Sequence, residues 1–389
     1  MNKFILIRYS ELTLKGRNKK HFSNILGQTL KRRLNEKELD YTIKVEYDLI
    51  RIVPNDKIED YLPIVKNTIG ISWFTVATET TLEEDEMAKA ILESIDPSSK
   101  TFRVSAKASN KDIWESSQDL TTFVAKVVLQ NTDLTVNLDN YDVEVNVNVK
   151  KDVAIIYSSK IQGISGLPAG SNGRALSLLS GGIDSPIASH LMQRRGLDVM
   201  FVTYLNPVTA TEDTVHKITE LAKLVNKFNS RNSKLLIVNF ELIMKQIMEH
   251  SKTSYRLIML RTFMMKFSEA LSERYNLDIL ITGDSLGQVS SQTSKALTIV
   301  DNASPMFIAR PLVGLDKIEI IAKAKEIGAY DLSILPGNDM CSNFTPTNVA
   351  INPRADEAIE SFKNIMGSIE DYDQLVEDMI ENHITVVEL

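Results

Sequence analysis

The 389-residue sequence predicts an α/β protein whose C-terminal half is a doubly wound parallel sheet. From residue 174 onward, short apolar runs alternate with segments of helical spacing. Parallel strands joined by crossover helices produce that order. The first run, Leu176-Ser177-Leu178-Leu179, passes straight into Ser180-Gly181-Gly182-Ile183-Asp184-Ser185 and then a helix-like run from Pro186. Ahead of it, residues 58 to about 157 alternate helices and strands in a smaller α/β unit.

The elements follow in order. A strand is expected at 3–8. Residues 21–34 carry Phe22, Ile25, Leu26, Leu30 and Leu34 at helical spacing, and 41–52 read as a hairpin. The second unit reads as helix 58–68, strand 71–78, helix 83–94, strand 101–106, helix 117–130 and strands 142–149 and 152–158. Residues 161–173, rich in Gly, Pro and Ser, read as a linker. Beyond it, strands at 175–179, 198–203, 234–239 and 278–283 alternate with helices at 186–195, 212–226, 241–250 and 254–275. The tail from Ala355 reads as an acidic helical extension.

The composition is 43% hydrophobic and 24% charged, that of a globular protein of two or three domains. No apolar run approaches the ~18–20 residues that span a bilayer, so no membrane role is expected. The start is too soon charged for a signal peptide. A single cysteine, Cys341, excludes an internal disulfide framework and a cysteine-based zinc site, and a cytoplasmic enzyme is expected. The net charge of −7 argues against a polyanion partner, but its distribution reverses that. Residues 1–35 hold nine Lys/Arg against one acid, and residues 354–389 hold ten acids against two cations. Only the basic front suits nucleic acid; a solvated helix face is the alternative.

A strand that stops at two glycines and turns into a helix builds an anion site. Glycine lets backbone approach phosphate, and the helix offers free N–H groups and its positive end. The loop lacks the Gly-Lys-Ser/Thr ending of a phosphoryl-transfer loop. It carries instead an acid, Asp184, suited to Mg2+ coordinated to pyrophosphate. That points to ATP cleaved between its α and β phosphates. The loop resembles the SGGxDS PP-loop of the adenine nucleotide α-hydrolase superfamily.

Three later segments share polar chemistry. Gly283-Asp284-Ser285-Leu286-Gly287-Gln288-Val289-Ser290-Ser291-Gln292-Thr293 follows an apolar strand and is expected at the same crevice as the Ser180 loop. The segment Arg310 to Lys317 brings two cations near it. The stretch Asn338 to Phe344 surrounds Cys341. Each has a plainer reading: an ordinary turn, a surface pair of little worth, a buried thiol used as filler.

Taken together these stretches resemble the ThiI family of tRNA 4-thiouridine synthetases. Arg8-Tyr9-Ser10-Glu11-Leu12-Thr13-Leu14-Lys15-Gly16-Arg17-Asn18 is similar to the family's R-Y-x-E-x-x-L-K-G-x-N opening. Lys160–Gly163 and Gly166–Gly170 are similar to its approach to the nucleotide loop, and the Ser180, Gly283 and Arg310–Lys317 segments continue the match. The resemblance implies an N-terminal ferredoxin-like domain at 1–57, a THUMP RNA-binding domain at 58–165, and a PP-loop ATP pyrophosphatase domain at 174–389. It implies that uridine 8 of tRNA is adenylated by ATP on its 4-oxygen and then attacked by persulfide sulfur from a cysteine desulfurase. Catalytic roles fall on Asp184, Lys317 and Cys341. ATP contacts fall on Leu179, Ser180, Tyr204, Leu205, Arg261, Gly283 and Gln292, with Gly181, Gly182 and Ser185 completing the loop.

Longer members carry a rhodanese domain that receives the persulfide; this sequence resembles the short form. Sulfur is therefore expected from a partner, and the family's sulfur role in thiamine synthesis is in doubt. A homodimer stays open. The rival readings are a THUMP-bearing tRNA methyltransferase, which needs a glycine-rich S-adenosylmethionine loop, and a tRNA-binding protein with a decayed nucleotide site. The acid in the Ser180 loop opposes the first, and intact Ser180, Asp184, Lys317 and Cys341 oppose the second.

Overall fold

The computed structural model describes residues 1–11, 18–109, 113–337 and 350–389, which divide into two units, Met1–Leu167 and Pro168–Leu389. In the first unit, strands Asn2–Tyr9, Tyr41–Val45, Leu49–Pro54, Ile71–Thr80, Thr101–Ala108, Thr135–Val136, Val143–Val149, Ala154–Tyr157 and Ile161–Gln162 join one nine-stranded sheet. The ten-residue strand Ile71–Thr80 is its spine. It pairs antiparallel with Asn2–Tyr9 on one edge, and with Ala154–Tyr157 and Ile161–Gln162 on the other. The sheet thus runs unbroken through the segments expected as two domains. Each half keeps its own core. Leu26, Leu30 and Leu34 of helix Lys19–Asn35 pack with Tyr61 and Phe74, and Leu120, Val124 and Val128 of helix Ser117–Asn131 pack with Phe102 and Val145. The helical spacing read at 21–34 is what lines those leucines up.

The second unit holds a six-stranded sheet. Its order is Phe307–Ala309, Ile279–Ile281, Arg174–Leu178, Asp198–Leu205, Lys234–Asn239, Ile384–Glu388. The first five are parallel. All eight residues of Asp198–Leu205 are buried, as a central strand covered on both faces requires. The chain moves outward from Arg174–Leu178 in one direction, then returns to its other side with Ile279–Ile281. The gap beyond the C-terminal ends of those two strands is a topological switch point, where open α/β sheets bind ligands.

The tail corrects the sequence reading. After helices Ala355–Ser368 and Tyr372–Asn382 it ends in strand Ile384–Glu388, antiparallel on Lys234–Asn239. The acidic count of this segment hides a five-residue strand with four β-branched residues, Ile384 to Val387, that covers a sheet edge. The helix expected from Pro186 begins instead at Asp184, and the one expected from 254 begins at Arg256 after a tight turn at Thr253–Tyr255. Among the described residues no helix is long and apolar enough to cross a membrane.

Candidate active site

At the switch point lies a crevice of about 450 Å³, lined from the Ser180 loop, the Gly283 loop, the end of strand Asp198–Leu205 and the long helix Arg256–Tyr275. The Ser180 loop is braced from within. The Ser180 N–H donates to Ser185 Oγ at 2.8 Å, and the Gly182 N–H donates to Ser180 Oγ at 3.3 Å. The Ser185 hydroxyl closes the turn on the Ser180 carbonyl at 3.3 Å. The two serines thus hold the turn's shape, while Gly181 and Gly182 supply backbone without side chains at the crevice wall. Asp184 is in the first turn of helix Asp184–Gln193, so its carboxylate sits at the positive end of that helix.

The Gly283 loop presses against the same helix start. A Cβ on Gly283 would stand 2.8 Å from the Ser185 amide nitrogen, so glycine is what allows the approach. The next residue, Asp284, has a side chain only 6% exposed and is surrounded by donors. Arg310 Nε at 3.1 Å and the Thr282 hydroxyl at 2.8 Å donate to Oδ2, and Gln292 Nε2 at 3.1 Å and Arg261 Nη2 donate to Oδ1. Burial would raise this carboxyl. Arg261, then Thr282 and Arg310, outweigh burial and hold it below the ordinary carboxylate range. Arg310 also pairs with Asp301, and Arg261 Nη1 donates to the Ser291 carbonyl at 2.8 Å.

Asp184 is more open, 21% exposed, and its partners come from far along the chain. Lys317 Nζ lies 2.6 Å from Oδ1, and Gln288 Nε2 donates to Oδ2 at 2.8 Å. Lys317 is the first residue of a helix whose N-cap, Asp316, closes a capping box with Glu319. Magnesium keeps several waters and takes one or two carboxylates together with substrate phosphates. Asp184 fits that donor set once Lys317 or Gln288 releases an oxygen. Among the described residues no group of three or more His, Cys, Asp or Glu gathers to make an all-protein metal cage.

The remaining sequence-predicted residues divide. Leu179, Ser180, Gly181, Gly182, Asp184, Ser185, Tyr204, Leu205, Arg261, Gly283 and Gln292 all line the one crevice, and Lys317 reaches it through Asp184. The Tyr204 ring, however, faces the core. It packs 4.8 Å from the Phe240 ring, and its hydroxyl is 2.6 Å from Ser268 Oγ, so only the Tyr204 backbone is left to meet a ligand. Cys341 lies outside the described residues. Sequence reasoning passed over Asp284, Gln288, Lys217 and Ser333, which also line the crevice. Asp284 and Gln288 stood inside a segment already singled out, and their polar clustering was the available signal. Lys217 and Ser333 carried none.

The basic front of the first unit is less available than its count suggests. Lys19 is buried with its ammonium 2.8 Å from Asp48 and 3.8 Å from the Tyr47 ring centre. Arg32 pairs with Glu36, and Arg33 donates to the Asn67 carbonyl at 2.8 Å. Lys3, Lys20 and Lys31 are the exposed cations of that stretch among the described residues.

Comparison with known proteins sets this geometry in context. Residues 170–366 match the model of the thiamine biosynthesis protein ThiI, residues 4–75 the ThiI ferredoxin-like domain, and residues 80–159 the THUMP domain. The chain is 36% identical over 365 residues to a probable tRNA sulfurtransferase of Ureaplasma parvum, spanning 92% of this chain and 93% of the relative. It is 36% identical over 391 residues to one from Thermoanaerobacter pseudethanolicus, spanning 99% and 100%. The crystal structure of a 4-thiouridine synthetase–RNA complex with bound ATP superposes with a TM-score of 0.89 at 28% identity over 100% of both chains.

Proposed function

This chain belongs to the ThiI family, and we propose that its crevice adenylates the 4-oxygen of a tRNA uridine so that sulfur can replace it. It is a tRNA sulfurtransferase, a 4-thiouridine synthetase that works with ATP. The observation that carries the finer reading is the meeting of the Ser180 loop, the Gly283 loop and Lys317 around Asp184 at one switch-point crevice.

The loop amides and the start of helix Asp184–Gln193 face the phosphates of ATP. Leu179, Ser180, Gly181, Gly182, Ser185, Leu205, Gly283 and the Tyr204 backbone form the walls. Arg261 and Gln292, held by Asp284, are fixed donors at one side. A polyanion entering this crevice draws Lys317 off Asp184 and frees that carboxylate. A magnesium ion, when bound, supplies charge neutralisation on the leaving pyrophosphate, and Asp184 is the residue to hold it.

The uridine 4-oxygen attacks the α-phosphorus, the α–β bond breaks, and pyrophosphate leaves. A persulfide sulfur then attacks C4, and AMP departs with the oxygen. Cys341 carries that persulfide, loaded by a cysteine desulfurase. The transient disulfide between Cys341 and the base is reduced by an outside thiol, which is oxidised in turn. Residues 1–57 and 58–165 bind the tRNA through backbone and shape. This reading sets the enzyme in the cytoplasm with its substrate.

The test is the product. Enzyme, tRNA and ATP are expected to yield AMP and pyrophosphate without ADP, and stoichiometric ADP would overturn the reading. Cys341→Ser is expected to keep AMP formation and lose desulfurase-supported thiolation. Full thiolation by that variant would remove Cys341 from the route.

A further inference from the structure

Lys217 is a buried cation with no charge partner among the described residues, and it stands beside the phosphate loop. It lies on helix Glu212–Asn226, whose inner face brings Thr214, Lys217 and Ile218 to the crevice. The residue is 7% exposed, and burial lowers the pKa of its ammonium. Among the described residues no carboxylate lies within ion-pair distance of it. Among the described residues its Nζ donates to the Leu335 carbonyl at 2.5 Å. A Cβ built on Gly181 would be 3.5 Å from Lys217 Cε, so the side chain passes directly beside the glycine turn. Gly337 leaves room on the other side, where a Cβ would be 3.7 Å from Nζ. Ser333, 6% exposed, lines the same crevice, and its hydroxyl is buried without a hydrogen-bond partner among the described residues.

An ammonium withdrawn from water and left with one carbonyl pays a desolvation cost that an anion would offset. A buried hydroxyl left unpaired in the wall of the same crevice is a second unmet polar group. The Lys217 stem runs along the stretch of crevice next to Gly181, where the loop admits close backbone approach, and Ser333 lines the same crevice. We propose that Lys217, with the Ser333 hydroxyl, grips the outer phosphates of ATP and the pyrophosphate that leaves. The Leu335 carbonyl holds the ammonium when the crevice is empty. The four-carbon stem lets Nζ swing from that carbonyl to a phosphate oxygen without moving the helix. The opposite wall, where Asp284 holds Arg261 and Gln292, is left for the nucleoside. This assignment rests on the ATP reading and adds two residues to it.

Calorimetric titration of the full chain with ATP, with inorganic pyrophosphate and with AMP, each separately, tests it. Lys217→Met is expected to weaken pyrophosphate binding about tenfold or more, in line with the loss of one charge-assisted hydrogen bond, and to leave AMP binding within about twofold. Ser333→Ala is expected to give a smaller loss with the same selectivity. Lys217→Gln, which keeps a donor beside Leu335 but removes the charge, guards against a folding defect in the methionine variant and is expected to show the same loss. Unchanged pyrophosphate binding in both Lys217 variants overturns the inference. So does a parallel loss of pyrophosphate and AMP, which marks Lys217 as a tie between its helix and Leu335. If the wild-type chain binds ATP and AMP normally, either result leaves the ATP reading standing. A wild-type chain that binds none of the three overturns that reading itself.

Discussion

Asp184 and Asp284 are the same chemical group on two walls of one crevice, and their surroundings make opposite use of it. Asp284 is 6% exposed and locked by two arginines, a threonine and a glutamine. Asp184 is 21% exposed, with one lysine and one amide, and Lys317 is itself 43% exposed. A carboxylate enclosed by two guanidinium groups has no freedom to exchange partners, and its work is to aim them. A carboxylate held by one flexible lysine can release it to an incoming polyanion. The buried acid builds the site, and the open acid is the one left free to exchange partners.

The comparison breaks first at Asp184. Asp184→Ala is expected to lower AMP formation by about a thousandfold, the scale of losing a key electrostatic group. It is expected to shift stability by only ~0–1 kcal/mol, because a half-open ion pair contributes little. Single-turnover assays beside thermal melts separate the two effects, and a large melting shift with modest kinetic loss would reverse the roles assigned here.

Asp284→Ala is expected to do the opposite. Leaving Arg261 and Arg310 buried without their carboxylate costs about 3–5 kcal/mol, read as a drop in the urea midpoint. Asp284→Asn, which keeps the shape, is expected to cost less. A variant as stable as wild type would show that the arginines find other partners.

Lys317→Met sharpens the contrast on the open side. A loss of about a hundredfold in AMP formation is expected, with near-unchanged melting. Its capping box at Asp316 and Glu319 is untouched, so the helix start is preserved.

The smallest effect tests burial itself. His190, on the helix that begins at Asp184, is buried against Phe228, and burial pushes its pKa down to about 3. A folded-state pKa depressed below the unfolded value of ~6.5 means the stability is present above ~6.5 and lost as pH falls. Below pH ~6 the loss approaches about 1.4 kcal/mol per pH unit from this residue alone. Asp284 adds its own loss only below its unfolded value of ~3.9. Urea midpoints from pH 7 to 4.5 are expected to fall for wild type and to flatten for His190→Leu. Equal slopes would mean that His190 takes up its proton without unfolding.

Much of this was legible along the chain because it is local. The turn at Gly181 and Gly182, the apolar strand before it and the helix after it are neighbours in sequence, and the period of 21–34 needs no tertiary partner to be read. Strand and helix alternation from residue 174 implied the switch point, and with it the meeting of the Ser180 and Gly283 loops. Tertiary structure decided which charges are spent. Lys19 counts toward a basic front in sequence but is consumed by Asp48 and Tyr47. Asp284 reads as a turn residue until Arg261 and Arg310 arrive from opposite directions along the chain. Lys217 looks like one more helix-face lysine until the fold buries it beside Gly181. Strand Ile384–Glu388 was hidden in an acidic tail until the edge of Lys234–Asn239 offered it a partner. Periodicity and turn chemistry are properties of neighbouring residues, whereas burial and ion pairing depend on residues a hundred positions away, and composition alone carries no record of them.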